Sequence, residues 1–245
     1  MADGMIRADA DALLAVRGLE AWYGESHVLH GVDIDIKPGE VVTLLGRNGA
    51  GKTTTLRAIM GLVGRRAGSI RHNGVELISA RSDVIARKGI GYCPEERGIF
   101  ASLDVTENLM LPPVVMPGGL SLDEIYTLFP NLKERARSQG TKLSGGEQQM
   151  LAIARILRTG AKLLLLDEPS EGLAPAIVEM LIETFRKLAA EGLATLVVEQ
   201  NLAMATAMAD RQLVMVAGRI SAETTARELN DDPDAQRRWL GVETA

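Results

Sequence analysis

Short uninterrupted apolar runs alternate along this chain with segments whose apolar positions recur every three or four residues, and that alternation predicts an α/β fold. Val41 to Leu45 reads as a buried parallel strand, and Thr53 to Met60 after it as a helix. Leu163 to Leu166 and Thr195 to Val198 are further runs that suit parallel strands covered on both faces. Between those two, Ile177 to Ala190 has helical periodicity and stops at Gly192. Val16 to Ile36 instead alternates apolar and polar positions, as antiparallel strands do, and ends at the turn Pro38-Gly39. Ile70 to Leu77 reads as a hairpin around Asn73-Gly74, and Gln212 to Val216 followed by Ala217-Gly218-Arg219 as a closing hairpin.

The middle of the chain changes character. From Asp104 to Leu143 short helical patterns are broken by Pro112, Pro113, Pro117, Gly118 and Gly119, and Ser121-Leu122-Asp123-Glu124 is a capping box. Met204 and Met208, four apart on a predicted helix, are expected on its core face. The segment from Glu223 to Ala245 is charged, helical in places and too short for a separate regulatory domain.

Composition narrows the classes. A chain of 245 residues with 46% hydrophobic content can bury a large core as one α/β unit with an inserted subdomain. The net charge of -5 gives no sign of a nucleic-acid-binding surface. No stretch is long and apolar enough to span a membrane, and the polar start, Met1 to Asp11, has no secretory pattern. Cys93, the single cysteine, cannot form an internal disulfide, and nothing supplies a zinc-type ligand cluster. These readings place the chain in the cytosol.

The candidate chemistry lies at strand ends. Gly46-Arg47-Asn48-Gly49-Ala50-Gly51-Lys52-Thr53 sits between a predicted strand and helix, the setting in which a glycine-rich loop turns its N–H groups toward phosphate. There Lys52 neutralises phosphate charge and Thr53 holds magnesium. Asp167-Glu168 follows the strand Leu163 to Leu166, where open α/β sheets place ligand chemistry. Leu143-Ser144-Gly145-Gly146-Glu147-Gln148 opens a helix, Gln148 to Leu157, with another capping box. Two glycines in its first turn sacrifice helix propensity, which close approach of backbone to an anion explains.

In that order the three segments resemble the ATP-binding-cassette family. The resemblance implies a P-loop NTPase (RecA-like) core with an antiparallel β-region and an inserted helical subdomain, one domain over 13–242. Its core segments are 13–91 and 150–222, its helical subdomain about 92–149 and its C-terminal tail 223–245. It implies ATP and Mg2+ as ligands, cradled by Gly46, Asn48, Gly49, Ala50, Gly51, Lys52, Thr53 and Thr54, with Asp167 supporting the magnesium shell. Glu168 then orients or deprotonates the attacking water. Ser144, Gly145, Gly146 and Glu147 face the nucleotide of an opposite subunit, so the working unit is a head-to-tail dimer. Tyr23 stands where the family places an aromatic that stacks on adenine; a buried strand tyrosine is the alternative. The helical subdomain receives a membrane subunit, and among Ile99, Phe100, Leu103, Val105 and Leu109 some residues line that groove and others are core.

Departures from the general pattern place the chain within the family. Gln200-Asn201 follows Val197-Val198-Glu199 where most members carry histidine; His27, His30 and His72 are the only histidines. A glutamine amide can hydrogen-bond phosphate but cannot gain a proton near neutral pH, so Gln200 is expected to position and Glu168 to activate. Glu95, in Tyr92-Cys93-Pro94-Glu95, replaces the usual glutamine and either reaches the metal shell or pairs with a basic coupling element. Ser170-Glu171-Gly172-Leu173-Ala174 lacks the usual final aspartate. Together with Trp239-Leu240-Gly241-Val242, these variants are similar to ATPases of branched-chain amino acid importers and their relatives for urea, amides and aromatic acids. That resemblance implies a dimer with itself or a paralogous ATPase, membrane permeases, indirectly a periplasmic binding protein, and a peripheral position on the cytoplasmic face of the inner membrane. An exporter ATPase, a non-transport ATPase of the family and a regulatory nucleotide-binding module are the other readings.

Overall fold

The computed structural model describes residues 11–240. Residues 1–10 of the polar start and Gly241-Val242 of the closing motif lie outside that range. Strands β1 (Leu14–Tyr23) and β2 (Ser26–Ile36) pair antiparallel, and β3 (Val41–Leu45) leads through the glycine-rich loop into α1 (Lys52–Ile59). Next come β4 (Arg65–His72), β5 (Val75–Glu76), α2 (Ser82–Arg87) and β6 (Ile90–Cys93). The helices α3 (Val105–Met110), α4 (Leu122–Leu128), α5 (Pro130–Glu134) and α6 (Gly145–Leu157) are inserted before β7 (Leu163–Asp167). Then α7 (Pro175–Ala190), β8 (Ala194–Glu199), α8 (Leu202–Met208), β9 (Arg211–Val216), β10 (Arg219–Thr225), α9 (Ala226–Asp231) and α10 (Pro233–Leu240) complete the described chain.

The strands form two sheets. β2-β1-β4-β5 is antiparallel, and β10-β9-β3-β8-β7-β6 is parallel except for its edge strand β10. Every residue of β7 and β8 is buried, as continuous apolar runs in a parallel sheet require. β1 instead buries alternate positions, with Leu14, Val16, Leu19 and Ala21 inward. One core lies among the two sheets and α1; a second lies among α3–α7 and the other face of the parallel sheet, around Phe129, Phe185 and Met150. Arg211 ties the sheets together, donating to the Asp35 carbonyl at 2.8 Å, Glu40 at 3.1 Å and Glu223 at 2.7 Å.

Several elements differ from their sequence reading. The hairpin around Asn73-Gly74 forms, both residues at positive φ, but β4 begins at Arg65 rather than Ile70 because pairing with β1 extends to Trp22. α6 begins at Gly145 rather than Gln148, since the Ser144–Glu147 box holds both glycines inside the first turn. Strand β6 is too short and glycine-interrupted to show as an apolar run. Gly91 is required there because a Cβ would stand 2.1 Å from the Ile156 side chain of α6. β6 also carries the sheet to Cys93, two residues past the expected core limit at 91. Capping boxes at Asp104/Glu107 and Thr225/Glu228 start α3 and α9 in addition to the two read from sequence. Met204 and Met208 are buried, Val105 and Leu109 are core, and Phe100 is exposed with the Arg155 guanidinium over its ring.

Cys93 is buried against the Gln149 amide, and burial pushes its thiol pKa up to about 12. The native protein is therefore expected to resist iodoacetamide at pH 8, while the urea-unfolded chain incorporates one equivalent. Rapid native labelling, followed by mass spectrometry, would contradict this placement.

Candidate functional site

The ends of β3, β7 and β8 open on one side of the parallel sheet, beside β1. A cleft of about 470 Å³ there is lined by Tyr23, Asn48, Gly49 and Gly51, by Lys52, Thr53 and Thr54, and by Glu95, Glu168 and Gln200. Ten residues proposed from sequence thus converge from five separate segments. Tyr23 is 44% exposed on the cleft wall, which sets aside the buried-tyrosine alternative. In a cleft of about 510 Å³ at the opposite strand ends, Arg211 pairs with Glu40 and Arg186 donates to the Ala207 carbonyl at 2.6 Å.

The glycines serve different needs. Gly46 ends β3 against β9, where a Cβ would sit 2.5 Å from the Met215 carbonyl oxygen. Gly51 takes φ 109 as the N-cap of α1, a conformation L side chains avoid. Ala50 is buried beneath the loop and its carbonyl accepts from the Gly218 N–H at 2.8 Å. The turn so formed directs the α1 N-terminus at the cleft, a ready anion site.

Lys52 is only 4% exposed. Its ammonium donates to the carbonyls of Gly46 at 2.8 Å and Arg47 at 3.2 Å and stands 3.9 Å from Glu168. Burial lowers its pKa, and the charges of Glu168 and Asp167 oppose that shift. Thr53 donates its hydroxyl hydrogen to Asp167 Oδ1 at 3.0 Å, and Tyr92 OH donates to Oδ2 at 3.2 Å. Burial raises the Asp167 pKa while those two hydrogen bonds restrain it. Glu95 is also raised, first by burial and then by repulsion from Glu168, Glu171 and Asp167.

Glu168 follows β7 with φ 49, a left-handed backbone at a non-glycine residue, while its N–H still donates to the Val198 carbonyl at 2.9 Å. Its carboxylate accepts the Gln200 amide at both oxygens, 2.6 and 2.5 Å away. Ser144, Gly145, Gly146 and Glu147 do not line this cleft. Ser144 and Glu147 cap α6, Gly145 faces the Arg97 guanidinium and Gly146 faces Ile177. Sequence reasoning assigned no role to Tyr92, Glu171 or Glu199. The signal for Glu199 was the same as for Asp167, a carboxylate closing an apolar strand.

Among the described residues, no group of three or more His, Cys, Asp or Glu side chains is placed to enclose a metal ion. Thr53 and Asp167 offer two hard oxygen donors at the mouth of an anion-binding loop. That partial set fits magnesium, which takes one or two protein oxygens and completes its shell with water and substrate phosphates.

Residues 29–171 match the ABC transporter family. The chain is 42% identical over 232 residues to the high-affinity branched-chain amino acid transport ATP-binding protein BraG of Pseudomonas aeruginosa, spanning 94% of this chain and 100% of that protein. It is 35% identical to a probable branched-chain amino acid transport ATP-binding protein, LivF, of Archaeoglobus fulgidus, over 91% and 97% of the two chains. It is 34% identical to the lipopolysaccharide export system ATP-binding protein LptB of Escherichia coli, over 94% and 98%. The fold matches a nucleotide-free ATP-binding cassette with a TM-score of 0.80 at 23% identity, over 95% of this chain and 100% of that one. It also matches the dimeric structure of a bacterial ABC transporter cassette, TM-score 0.77 at 25% identity, over 87% and 99%.

Two glycine substitutions separate crowding from backbone strain. Gly46→Ala drives a methyl group into a fixed strand carbonyl and is expected to cost about 1–3 kcal/mol. Gly49→Ala meets nothing within 4 Å and bears only the strain of φ 78, about 1 kcal/mol. Urea midpoints of the two variants check the order.

Proposed function

The chain belongs to the ABC transporter family as one of its ATPase subunits, and on that premise we propose that it drives uptake of branched-chain amino acids or a related small polar solute. The observation that carries the cargo assignment is the similarity to BraG along the full length of that protein. LptB favours a second reading, the motor of an exporter, and the Gln200 and Glu95 variants weigh against it.

The site chemistry supports ATP hydrolysis through a division of labour. The loop Gly46 to Gly51 and the α1 N-terminus bind the phosphates, Lys52 neutralises their charge, and Tyr23 offers its ring to the adenine. Thr53 and Asp167 would hold magnesium, which would offset charge on the phosphate oxygens. Glu168 orients the water and accepts its proton, and Gln200 fixes the carboxylate by donating to both oxygens. Glu95 sits with the other carboxylates on the cleft wall, within reach of a cation there.

Ser144 and Gly146 lie away from the cleft of their own chain, which supports their service to a second subunit, either another copy or a paralogue. Cassettes of this family dimerise and work with membrane components. Among the described residues no helix is long and apolar enough to cross a membrane, in keeping with a peripheral subunit held by permeases at the cytoplasmic face. A periplasmic binding protein would meet the complex only through those permeases.

Glu168→Gln is expected to lower ATP turnover by about 10²-fold or more while nucleotide binding persists, and Gln200→Ala by less. EDTA is expected to stop turnover and added magnesium to restore it. The cargo is tested by uptake of labelled leucine, with urea and benzoate as competitors, in cells lacking the protein. Restoration by wild type and not by Glu168→Gln supports the reading; leucine uptake independent of the protein removes it.

A further inference from the structure

Glu199 ends β8 and is 2% exposed, and the hydrolytic roles above make no use of it. Its hydrogen bonds among the described residues all come from neutral donors, while the Lys52 ammonium attracts it from farther off. Oε1 accepts the Ser170 hydroxyl at 2.7 Å and the Ser170 N–H at 3.2 Å; Oε2 accepts the N–H groups of Gln200 at 3.3 Å and Asn201 at 3.4 Å. A carboxylate withdrawn from water is costly unless its oxygens are satisfied. Burial accordingly raises the pKa of this group, and the four donors pull the other way.

Those donors belong to two segments that leave neighbouring strands just past the end of their ladder, which closes with Asp167 beside Val198 and the Glu168 N–H on the Val198 carbonyl. Ser170 follows Glu168-Pro169 after β7, whereas Gln200 and Asn201 lead from β8 into α8, which Asn201 caps at 3.1 Å. On the cleft side, the same two segments meet again where Gln200 grips Glu168. We propose that Glu199 is a positioning residue for ATP hydrolysis, its carboxylate holding the backbones at Ser170 and Gln200 at the separation at which the Gln200 amide spans the Glu168 carboxylate. The inference rests on the reading of Glu168 as the group that acts on water.

Glutamine at position 199 keeps the shape and spoils the chemistry. In either orientation its single oxygen serves one segment, and its NH2 group faces the donors of the other. Steady-state kinetics of Glu199→Gln, Gln200→Ala and the double variant form the test, with ATP-analogue binding measured for each. Glu199→Gln is expected to lower kcat about tenfold, since small displacements of a reacting group are costly, and to leave KM and analogue affinity within about twofold. The double variant should be no slower than Gln200→Ala alone, because Glu199 acts through Gln200.

A fold-stabilising role would lower the melting temperature, leave kcat in place below it and add independently to Gln200→Ala; either an unchanged kcat or full additivity overturns the proposal. Should Glu199→Gln fail to fold, Ser170→Ala removes one hydroxyl donor only. It must then lower kcat about threefold in the wild-type background and not in Gln200→Ala, or the proposal falls. Glu168→Gln separates the two levels. If that variant still turns over, the reading of Glu168 fails and takes this one with it. If it is inactive while Glu199→Gln matches wild type, only the role of Glu199 is lost.

Discussion

Parallel pairing of β3, β8 and β7 sets Leu45 beside Glu199 and Asp167 beside Val198, and the glycine loop, Asp167, Glu168, Glu199 and Gln200 hang from that register. Each strand ends by releasing its polar residues at the same level: the glycine loop after Leu45, Asp167-Glu168 after Leu166, Glu199-Gln200 after Val198. Because side chains alternate across a strand, a slip of one residue would turn Asp167 from Thr53 toward the opposite face and part Gln200 from Glu168. The register is fixed at the strand end: a one-residue slip of the Leu163–Leu166 run puts leucine where leucine stood, but it takes the buried Asp167 from its place beside Val198 and from its two hydroxyl partners.

That scaffold allows charges to be placed where water is scarce. Lys52, Asp167 and Glu199 are each at most 4% exposed, and none is left without partners. Lys52 is held by two loop carbonyls, Asp167 by two hydroxyls and Glu199 by a hydroxyl and three N–H groups. Neutral partners of this kind fix orientation without neutralising charge, while Lys52 also stands 3.9 Å from the Glu168 carboxylate. The backbone of Glu168 carries strain at φ 49, and the β8 carbonyl that accepts its N–H helps hold it there.

Much of this was legible from residue order. The strand runs, the glycine loop, the acidic pair and two capping boxes were visible because their signals are local: apolar continuity, missing Cβ atoms, and Ser followed three residues later by Glu. Short β6, the early start of β4 and the partners of Asp167 were not visible, because each depends on a neighbour distant in sequence. Gly91 looks like an interruption until Ile156 is seen packed over it. Tyr92 looks like an ordinary strand residue until its hydroxyl meets Asp167 across 75 positions.

The sequence by itself determined the family, the α/β class, and which residue types bind phosphate and carry acid–base chemistry, because those properties belong to side chains and their immediate neighbours. Only the tertiary structure decided that Gln200 holds Glu168, that Glu199 joins the segments beneath them, and that Ser144 and Gly146 stand away from the cleft of their own chain. Those relations are distances between strand ends and helix starts. Strand order and register set them, and no stretch of local sequence specifies either.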